Sequence, residues 1–156
     1  MKSPLNLDEI DRRILRALQQ QGDISMVDLG ERVGLSHTPC WRRVKRLEDS
    51  GVIRRRVALL DPHLLELSVS VFAAISIKKH DEASLARFEK AVQTIDAIVE
   101  CHTVSGDRDF LLRVVVGTVA DYELLLKRKL TQLPGVESVS STFALKQAKY
   151  TTELPI

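Results

Sequence analysis

Several features that mark other protein classes are scarce or missing in this sequence of 156 residues. It has only two cysteines, Cys40 and Cys101, whose apolar surroundings fit reduced, buried thiols better than a disulfide or a metal site. No apolar run approaches the roughly 18 residues needed to cross a bilayer. The opening stretch MKSPLNLDEIDRR lacks the apolar core of a secretory signal. We therefore expect a cytoplasmic protein without a membrane partner.

Motifs that carry enzyme chemistry are missing as well. The sequence has no GxGxxG or GxxxxGK phosphate loop, no GxSxG and no HExxH. Its four histidines do not cluster along the chain: His37, His63, His80 and His102. The sequence therefore predicts no catalytic residue, no metal site and no cofactor. An enzyme would need a cluster of titratable groups, which the sequence does not display.

Charge is distributed unevenly along the chain. Residues 1–60 carry 12 Lys/Arg and 8 Asp/Glu, whereas residues 61–156 carry 11 and 13, so the two parts have net charges of +4 and −2. The total length suits one ordinary domain or two small ones. This asymmetry favours an N-terminal module that meets an anionic partner, joined to a module with a different task.

The most basic segment, from Ser36 to Arg56, reads SHTPCWRRVKRLEDSGVIRRR and predicts a helix over about residues 36–50. Ser36 is a suitable N-cap, and Gly51 can end the helix. Apolar residues recur along it at helical spacing: Cys40, Val44 and Leu47. A solvated helix face explains such a charge run by itself. The position of the helix after two shorter ones favours nucleic-acid binding instead.

Two short helices precede this segment. Asn6 and Glu9 resemble a capping box, and apolar residues then repeat at every fourth position up to Gly22. Ser25 can cap a second helix, which Gly34 ends. The tight turn Gly34-Leu35-Ser36 joins this helix to the basic helix at 36–50. Two helices joined in this way predict a helix-turn-helix, in which the basic helix lies in the major groove.

The DNA contacts are expected from the polar side of the basic helix at 36–50 and from the arginines that follow it. The candidate residues are Ser36, His37, Thr38, Trp41, Arg42, Lys45, Arg46 and Arg54. Trp41, at the border of the apolar stripe, either packs against the first helix or stacks on sugar or base edges, and we favour the DNA contact. Val52–Leu60 is rich in β-branched residues and predicts a strand, which would form the wing.

The pattern changes after residue 67. Alternation predicts a strand from Ser68 to Ile77, and later segments predict a helix, two strands joined by a hairpin loop at 105–109, a second helix and a last strand. The elements are helix Glu82–Thr94, strands Ala97–Val104 and Phe110–Gly117, helix Ala120–Leu133 and strand Val136–Lys149. This βαββαβ order predicts a ferredoxin-like domain and an α+β protein overall. We expect a second subunit to cover the apolar second face of the sheet, and the final KYTTELPI to be mobile or to cross to another subunit.

The hairpin loop concentrates chemistry in the second half of the chain. Glycine at Gly106 allows backbone N–H groups to face an anion, while Asp107 and Asp109 offer carboxylates to an ammonium group. The loop could therefore hold a zwitterion. An ordinary charged hairpin turn explains the same residues, because turns favour Gly and Asp for their backbone geometry.

Five motifs in order resemble the leucine-responsive regulatory protein/AsnC (Lrp/AsnC) family of prokaryotic transcription regulators. They are LDEIDRRIL, VGLSHTPCWRRVKRLEDSGVI, LDPHLL, ECHTVSGDRDFLL and LPGVESV. The likeness extends from Leu7 to about Lys149. It implies an N-terminal winged helix-turn-helix and a ferredoxin-like regulatory domain. That domain is expected to bind amino acids and to build dimers, often tetramers or octamers.

The resemblance also implies an effector site. In this family the loop matching Val104–Asp109 lies at a pocket between dimers and faces the last strand. The candidate residues are Val104, Ser105, Gly106, Asp107, Arg108, Asp109, Thr142, Ala144 and Leu145. Position 108 is frequently aromatic or apolar in relatives. If Arg108 points inward it favours an acidic or polar ligand side chain, and if it points to solvent the pocket stays apolar.

The sequence thus predicts three segments and one leading function. The segments are a winged helix-turn-helix DNA-binding domain at 1–60, a linker at 61–67, and a ferredoxin-like effector-binding and oligomerisation domain at 68–156. The leading hypothesis is an amino-acid-responsive, sequence-specific regulator of amino-acid metabolism or transport genes. It would bind double-stranded DNA as a homo-oligomer, with a free amino acid as its effector. The alternative is an architectural protein that bends or wraps DNA with broad specificity.

Overall fold

The computed structural model describes residues 6–156. The chain forms two compact units. The first unit takes in the chain up to Leu59 and returns for Lys149–Ile156, and the second unit is Leu60–Ala148. None of the helices in the described range is long and apolar enough to cross a membrane.

The first unit contains three helices: α1 Glu9–Gln20, α2 Met26–Val33 and α3 His37–Asp49. The three helices predicted from hydrophobic periodicity are therefore confirmed. Their apolar stripes meet in one core, since burying these side chains away from water stabilises the fold. The buried core residues are Ile14, Leu15, Ala17, Ile24, Leu29, Val33, Cys40, Val44 and Leu47.

The start of α1 differs from the prediction. A capping box is present, but it joins Asp8 and Asp11 rather than Asn6 and Glu9. The Asp11 backbone N–H donates to Asp8 Oδ1 at 2.8 Å, and the Asp8 backbone N–H donates to Asp11 Oδ2 at 3.2 Å. The reciprocal pair satisfies two of the donors that a helix start leaves unpaired.

The turn between α2 and α3 follows the predicted end signals. Ser25 is the N-cap of α2, and its hydroxyl accepts from the Asp28 backbone N–H. Gly34 ends α2 with φ 76° and ψ 37°, a left-handed conformation that glycine adopts without strain. Ser36 is the N-cap residue of α3.

The predicted wing strand at Val52–Leu60 is wrong for the single chain. Residues 54–60 have no regular secondary structure, and Val57 and Leu60 are 63% and 71% exposed. A strand obtains its backbone hydrogen bonds from a neighbouring strand. The described part of the first unit contains no strand to pair with this segment.

The second unit has the predicted βαββαβ order. Its elements are β1 Val69–Ile77, α4 Glu82–Val92, β2 Ile98–Thr103, β3 Phe110–Val116, α5 Val119–Arg128, a 3-10 turn Leu130–Gln132 and β4 Val136–Phe143. The strands lie in the order β2-β3-β1-β4, and all neighbours are antiparallel. This is the ferredoxin-like arrangement, so the fold prediction is confirmed.

Strand β4 is shorter than predicted. It ends at Phe143, opposite Val71, instead of continuing to Lys149. Within residues 6–156 its neighbouring strand is β1, which begins at Val69, so residues after Leu145 have no strand beside them. After a last backbone hydrogen bond from Ala144 to Ser70 at 2.9 Å, the chain leaves the sheet and Lys149–Ile156 joins the first unit.

The two faces of the sheet differ in composition. Both helices cover one face, where alternate residues of β1 and β3 are buried with Phe88, Val92 and Tyr122. The opposite side, here the open face, carries the other alternate residues of β1, β3 and β4. They are Ser70, Phe72, Ala74, Ser76, Leu111, Arg113, Val115, Ser138, Ser140 and Thr142. Because half of these residues are serine or threonine, the open face is less apolar than predicted.

The two cysteines have different environments. Cys40 is buried as predicted, whereas Cys101 is exposed, so the prediction of two buried thiols is wrong for Cys101. Strand β2 is at the edge of the sheet, which leaves Cys101 at a surface cavity of about 240 Å³ between α4 and β2. Partial burial there raises the pKa of the Cys101 thiol, with the carboxylate of Glu89 adding to the effect.

Candidate functional site

Helix α3 presents its polar side to solvent because its apolar stripe is fixed in the core of the first unit. All eight residues predicted to contact DNA are exposed: Ser36, His37, Thr38, Trp41, Arg42, Lys45, Arg46 and Arg54. The side chain of Trp41 is 50% exposed and is not part of the buried core. The surface of α3 is therefore accessible to a large anionic ligand.

Two arginines of α3 hold this helix against α1. The carboxylate of Asp11 is fully buried, and Arg43 Nη1 donates to its Oδ1 at 2.8 Å. Arg46 donates to its other oxygen, and Arg43 Nη1 also reaches Asp8 Oδ2 at 2.7 Å. These contacts orient α3. Sequence patterns did not reveal them, because Asp11 and Arg43 are 32 positions apart.

These contacts also affect ionisation. The hydrogen bond from the Asp11 backbone N–H, together with the Arg43 guanidinium, lowers the pKa of the Asp8 carboxyl below its usual value. Asp8 and Asp11 raise the pKa of Arg43 in turn. A carboxyl whose pKa is lowered by folding contributes stability above its unfolded pKa, and this contribution is lost as the pH falls through the folded pKa. Acidification is thus expected to loosen the start of α1.

Arg42 and Lys45 differ from these arginines. Among residues 6–156, no acidic side chain forms an ion pair with Arg42. Lys45 Nζ lies 3.0 Å from Asp49 Oδ1, in a pair whose side chains are 53% and 64% exposed. Exposed pairs of this kind contribute little to stability. Both cations can therefore approach a phosphate or a base edge.

A glycine inside α2 fixes the turn that leads to α3. The Leu35 backbone N–H donates to the Gly30 carbonyl oxygen at 2.8 Å, which brings the two backbones together. A Cβ atom on Gly30 would lie 2.7 Å from the Leu35 carbonyl oxygen. No other residue type fits there without moving the backbone. Sequence reasoning missed Gly30, because its role appears only when the turn is formed.

In the second unit, the loop Val104–Asp109 is tied to the end of β1. The Val104 backbone N–H donates to the Asp109 carbonyl oxygen at 3.0 Å and closes the loop. The Asp109 carboxylate accepts from the Ile77 backbone N–H at 2.8 Å and lies 2.8 Å from His80 Nε2. Asp109 thus fixes the loop, whereas Asp107 is exposed.

The guanidinium of Arg108 lies over the open face. Its Nη1 donates to Ser76 Oγ at 3.1 Å and to Ser138 Oγ at 2.9 Å, and the residue is half-buried. Ser76 and Ser138 are partners in the β1–β4 register, so adjacent strands present both hydroxyls to one cation. Arg108 is therefore held against β1 and β4 of its own chain, and its orientation toward an effector stays a prediction.

The remaining candidate effector residues do not join this cluster within the chain. Thr142 is opposite Phe72 in the register, and Leu145 is 98% exposed beyond the end of β4. Thr142 is four positions after Ser138 along the strand, a distance of roughly 13 Å. The candidate residues therefore form two groups at opposite ends of β4. Within residues 6–156, no three His, Cys, Asp or Glu side chains converge as metal ligands.

Two protein-family models match the chain. Residues 70–154 match the model described as the Lrp/AsnC ligand binding domain, and residues 7–54 match the one described as winged helix-turn-helix DNA-binding. Among curated proteins, the DNA-binding transcriptional activator DecR of Escherichia coli K12 is 41% identical over 150 residues, covering 96% of this chain and 99% of the relative. The leucine-responsive regulatory protein of the same strain is 44% identical over 151 residues, covering 97% and 92%.

Solved structures with the same fold cover nearly the whole chain. An AsnC family transcriptional regulator from Agrobacterium tumefaciens is 48% identical, with a TM-score of 0.91 and coverage of 96% of this chain and 97% of the other. A transcriptional regulator from Neisseria meningitidis, solved as a complex with L-Met, is 35% identical, with a TM-score of 0.92 and the same coverage. Both solved structures therefore share the fold of nearly the whole chain.

Proposed function

Because this chain belongs to the Lrp/AsnC family of transcription regulators, we propose that its two units divide the work of a ligand-responsive regulator. The first unit binds double-stranded DNA through α3, and the second unit binds a free amino acid through the loop Val104–Asp109. The observation that carries the DNA-binding half is the exposed polar side of α3, whose apolar side is locked in the core. Sequence-specific control of amino-acid metabolism or transport genes is the function that these features support.

The test compares two DNA fragments at one salt concentration. The protein should bind the region upstream of its own gene on the order of 10³-fold more tightly than random DNA, because base-edge contacts add to the phosphate contacts. Similar affinity for both fragments would favour the alternative function, an architectural protein that bends or wraps DNA. Since phosphate contacts depend on salt, both titrations are repeated over a salt series.

Substitutions on α3 should have two different signatures in that assay. Arg42→Ala is expected to weaken binding to the specific fragment by about 1–3 kcal/mol and to relax preference at one base pair, as for the loss of a bidentate base contact. Lys45→Ala is expected to weaken binding to both fragments and to reduce the salt slope by about 1, as for the loss of a phosphate contact.

Lys127→Ala is the matched control for Lys45→Ala. Lys127 is also an exposed lysine in an i,i+4 pair, with Glu123 on α5, and should leave DNA binding unchanged. Unchanged affinity and salt slope in both α3 variants would remove this helix from the proposed interface.

We also propose that the effector site is shared between subunits. Thr142, Ala144 and Leu145 are at the far end of β4 from Ser138, and an amino acid is too small to bridge roughly 13 Å of strand. A second copy of the chain can bring its β4 end to the loop. The exposed Phe72 on the open face is a side chain that such an assembly would cover.

The ligand side chain should be polar or acidic. Backbone N–H groups around Gly106, whose φ is 112°, are proposed to bind the ligand carboxylate, and Asp107 its ammonium group. Arg108 then presents a positive charge beside the hydroxyls of Ser76 and Ser138. A half-buried guanidinium pairs well with a carboxylate or amide and poorly with an alkyl group.

Calorimetric titration of the twenty amino acids tests this specificity. Wild type should bind a polar or acidic amino acid most tightly. Arg108→Leu should weaken that binding at least tenfold, since a hydrogen bond to a charged group contributes about 1.5–3 kcal/mol. Arg128→Leu, on an exposed side of α5, is the control and should have no effect.

Three results would contradict parts of the proposal. If an apolar amino acid binds most tightly and Arg108→Leu has no effect, Arg108 does not set specificity. Tight binding that survives Asp109→Ala would place the effector elsewhere, because Asp109 fixes the loop to Ile77. If none of the twenty amino acids binds, the regulator does not respond to a free amino acid.

A further inference from the structure

The final residues of the chain contact α1 of the first unit through hydrogen bonds to their backbone. Gln19 Nε2 donates to the Leu154 carbonyl oxygen at 3.3 Å, and the Leu154 backbone N–H donates to Gln19 Oε1 at 2.6 Å. One side-chain amide thus pairs with both polar backbone groups of one residue, as a neighbouring strand would. Arg16 Nε adds a third contact by donating to the main-chain oxygen of Ile156 at 2.6 Å.

An apolar contact completes the docking. Ile156 packs against the core of the first unit and is only partly exposed, whereas residues 144–155 are exposed. The side chain of Leu154 points away and is 68% exposed, so Leu154 contributes its backbone alone. The segment is therefore held by a backbone clamp at Leu154 and one apolar anchor at Ile156, with a tight turn from the Ile156 backbone N–H to the Leu154 carbonyl oxygen at 3.0 Å between them.

We propose that Lys149–Ile156 is a clasp that docks on α1 of its own chain and stabilises the DNA-binding unit. The clasp follows the second unit in sequence but belongs to the first, so the first unit has two covalent connections to the rest of the chain. The contacted helix also carries Asp8 and Asp11, which hold Arg43 of α3. By steadying α1, the clasp supports the helix that orients α3.

The segment that docks on α1 is assigned to the same chain because the chain is continuous from β4 to the docked residues. Strand β4 ends at Phe143, and the next residues lead without interruption into the docked segment. Its recognition does not depend on a particular side chain at position 154, because only the backbone of Leu154 is bound. The chain's own tail is present at a high effective concentration, which makes even a few contacts sufficient for docking.

A pair of similar truncations tests the clasp in the full-length protein. Ile156→Ala removes the anchor and should lower the Tm of the first unit by about 5 °C and speed amide hydrogen exchange along α1. Leu154→Ala removes a side chain of nearly equal size that is exposed, so it should change neither quantity. Gln19→Ala removes both clamp bonds and should behave like Ile156→Ala. Indistinguishable behaviour of Ile156→Ala, Leu154→Ala and wild type would overturn the clasp.

A mixing experiment separates the chain's own tail from that of a second copy. Labelled chains lacking residues 154–156 are refolded together with unlabelled full-length chains, and exchange is measured on the labelled chains. If each chain docks its own tail, α1 of the labelled chains should stay as unprotected as in the truncated protein alone. If protection of α1 is restored, the tail comes from another copy and the proposed occupant is wrong.

Discussion

Asp11→Ala is expected to lower the free energy of unfolding of the first unit by about 3 kcal/mol, the lower end of the range for breaking a buried ion pair from one side. The Asp11 carboxylate is fully buried and accepts from the Asp8 backbone, Arg43 and Arg46. Its removal leaves two guanidinium groups without their common partner at the contact of α1 with α3. The lower end applies because these arginine side chains remain 27% and 47% exposed, so water partly replaces the carboxylate.

The measurement is urea unfolding of the full chain followed by tryptophan fluorescence. The chain has one tryptophan, Trp41 on α3, so the signal reports on the first unit. Asp8→Ala is the matched control, since Asp8 contacts the same Arg43 but its carboxylate is 52% exposed. It should cost much less than Asp11→Ala. Equal losses in the two variants would show that burial of Asp11 does not decide its contribution.

Asp11→Ala should also impair DNA binding. Arg43 and Arg46 fix α3 on α1 through Asp11, so their release is expected to change the direction of the polar side chains of α3 that are proposed to contact DNA. We expect weaker binding to specific DNA even without urea, at temperatures at which the first unit is folded. This effect on binding would distinguish a residue that orients α3 from one that contributes only to stability.

Local patterns predicted most of the fold, because periodicity in the sequence reflects which side of an element is buried. The stripe at Cys40, Val44 and Leu47 is buried in α3, and the alternation along β1 matches its buried face. Patterns failed where a second element decides the outcome. Residues 52–60 have strand propensity but no neighbouring strand in the described first unit, and β4 ends at Phe143, within two residues of the position opposite the start of β1.

In the candidate sites too, local features could be predicted from the sequence and long-range contacts could not. The exposure of Arg42 and Lys45 could be predicted, since helix geometry sets which side chains lie opposite a buried stripe. Two other features could not be predicted, because each joins residues about thirty positions apart. They are the contact of Asp11 with Arg43 and the position of Arg108 over Ser138. Such contacts depend on packing that no local pattern contains.

Gly30→Ala is expected to destabilise the first unit by roughly 2 kcal/mol, although helix propensity alone favours alanine by about 1 kcal/mol. The added Cβ would lie 2.7 Å from the Leu35 carbonyl oxygen, and this contact is with backbone rather than with a flexible side chain. Relief requires the turn between α2 and α3 to open, which breaks the hydrogen bond from Leu35 to Gly30. The steric cost should therefore exceed the gain in propensity, and α3 should lose its orientation for DNA.

Gly22→Ala provides a control of the same chemistry in the same unit. Its Cβ would meet only the Leu18 carbonyl oxygen, at an ordinary 3.8 Å. The backbone of Gly22 is outside the left-handed region, so alanine should reduce the entropy of the unfolded chain and stabilise the protein by about 0.4–1 kcal/mol. The two glycine substitutions should shift the urea midpoint in opposite directions, and only Gly30→Ala should weaken DNA binding. If Gly30→Ala is as stable as Gly22→Ala and binds DNA normally, the close approach of Gly30 to Leu35 does not constrain the turn.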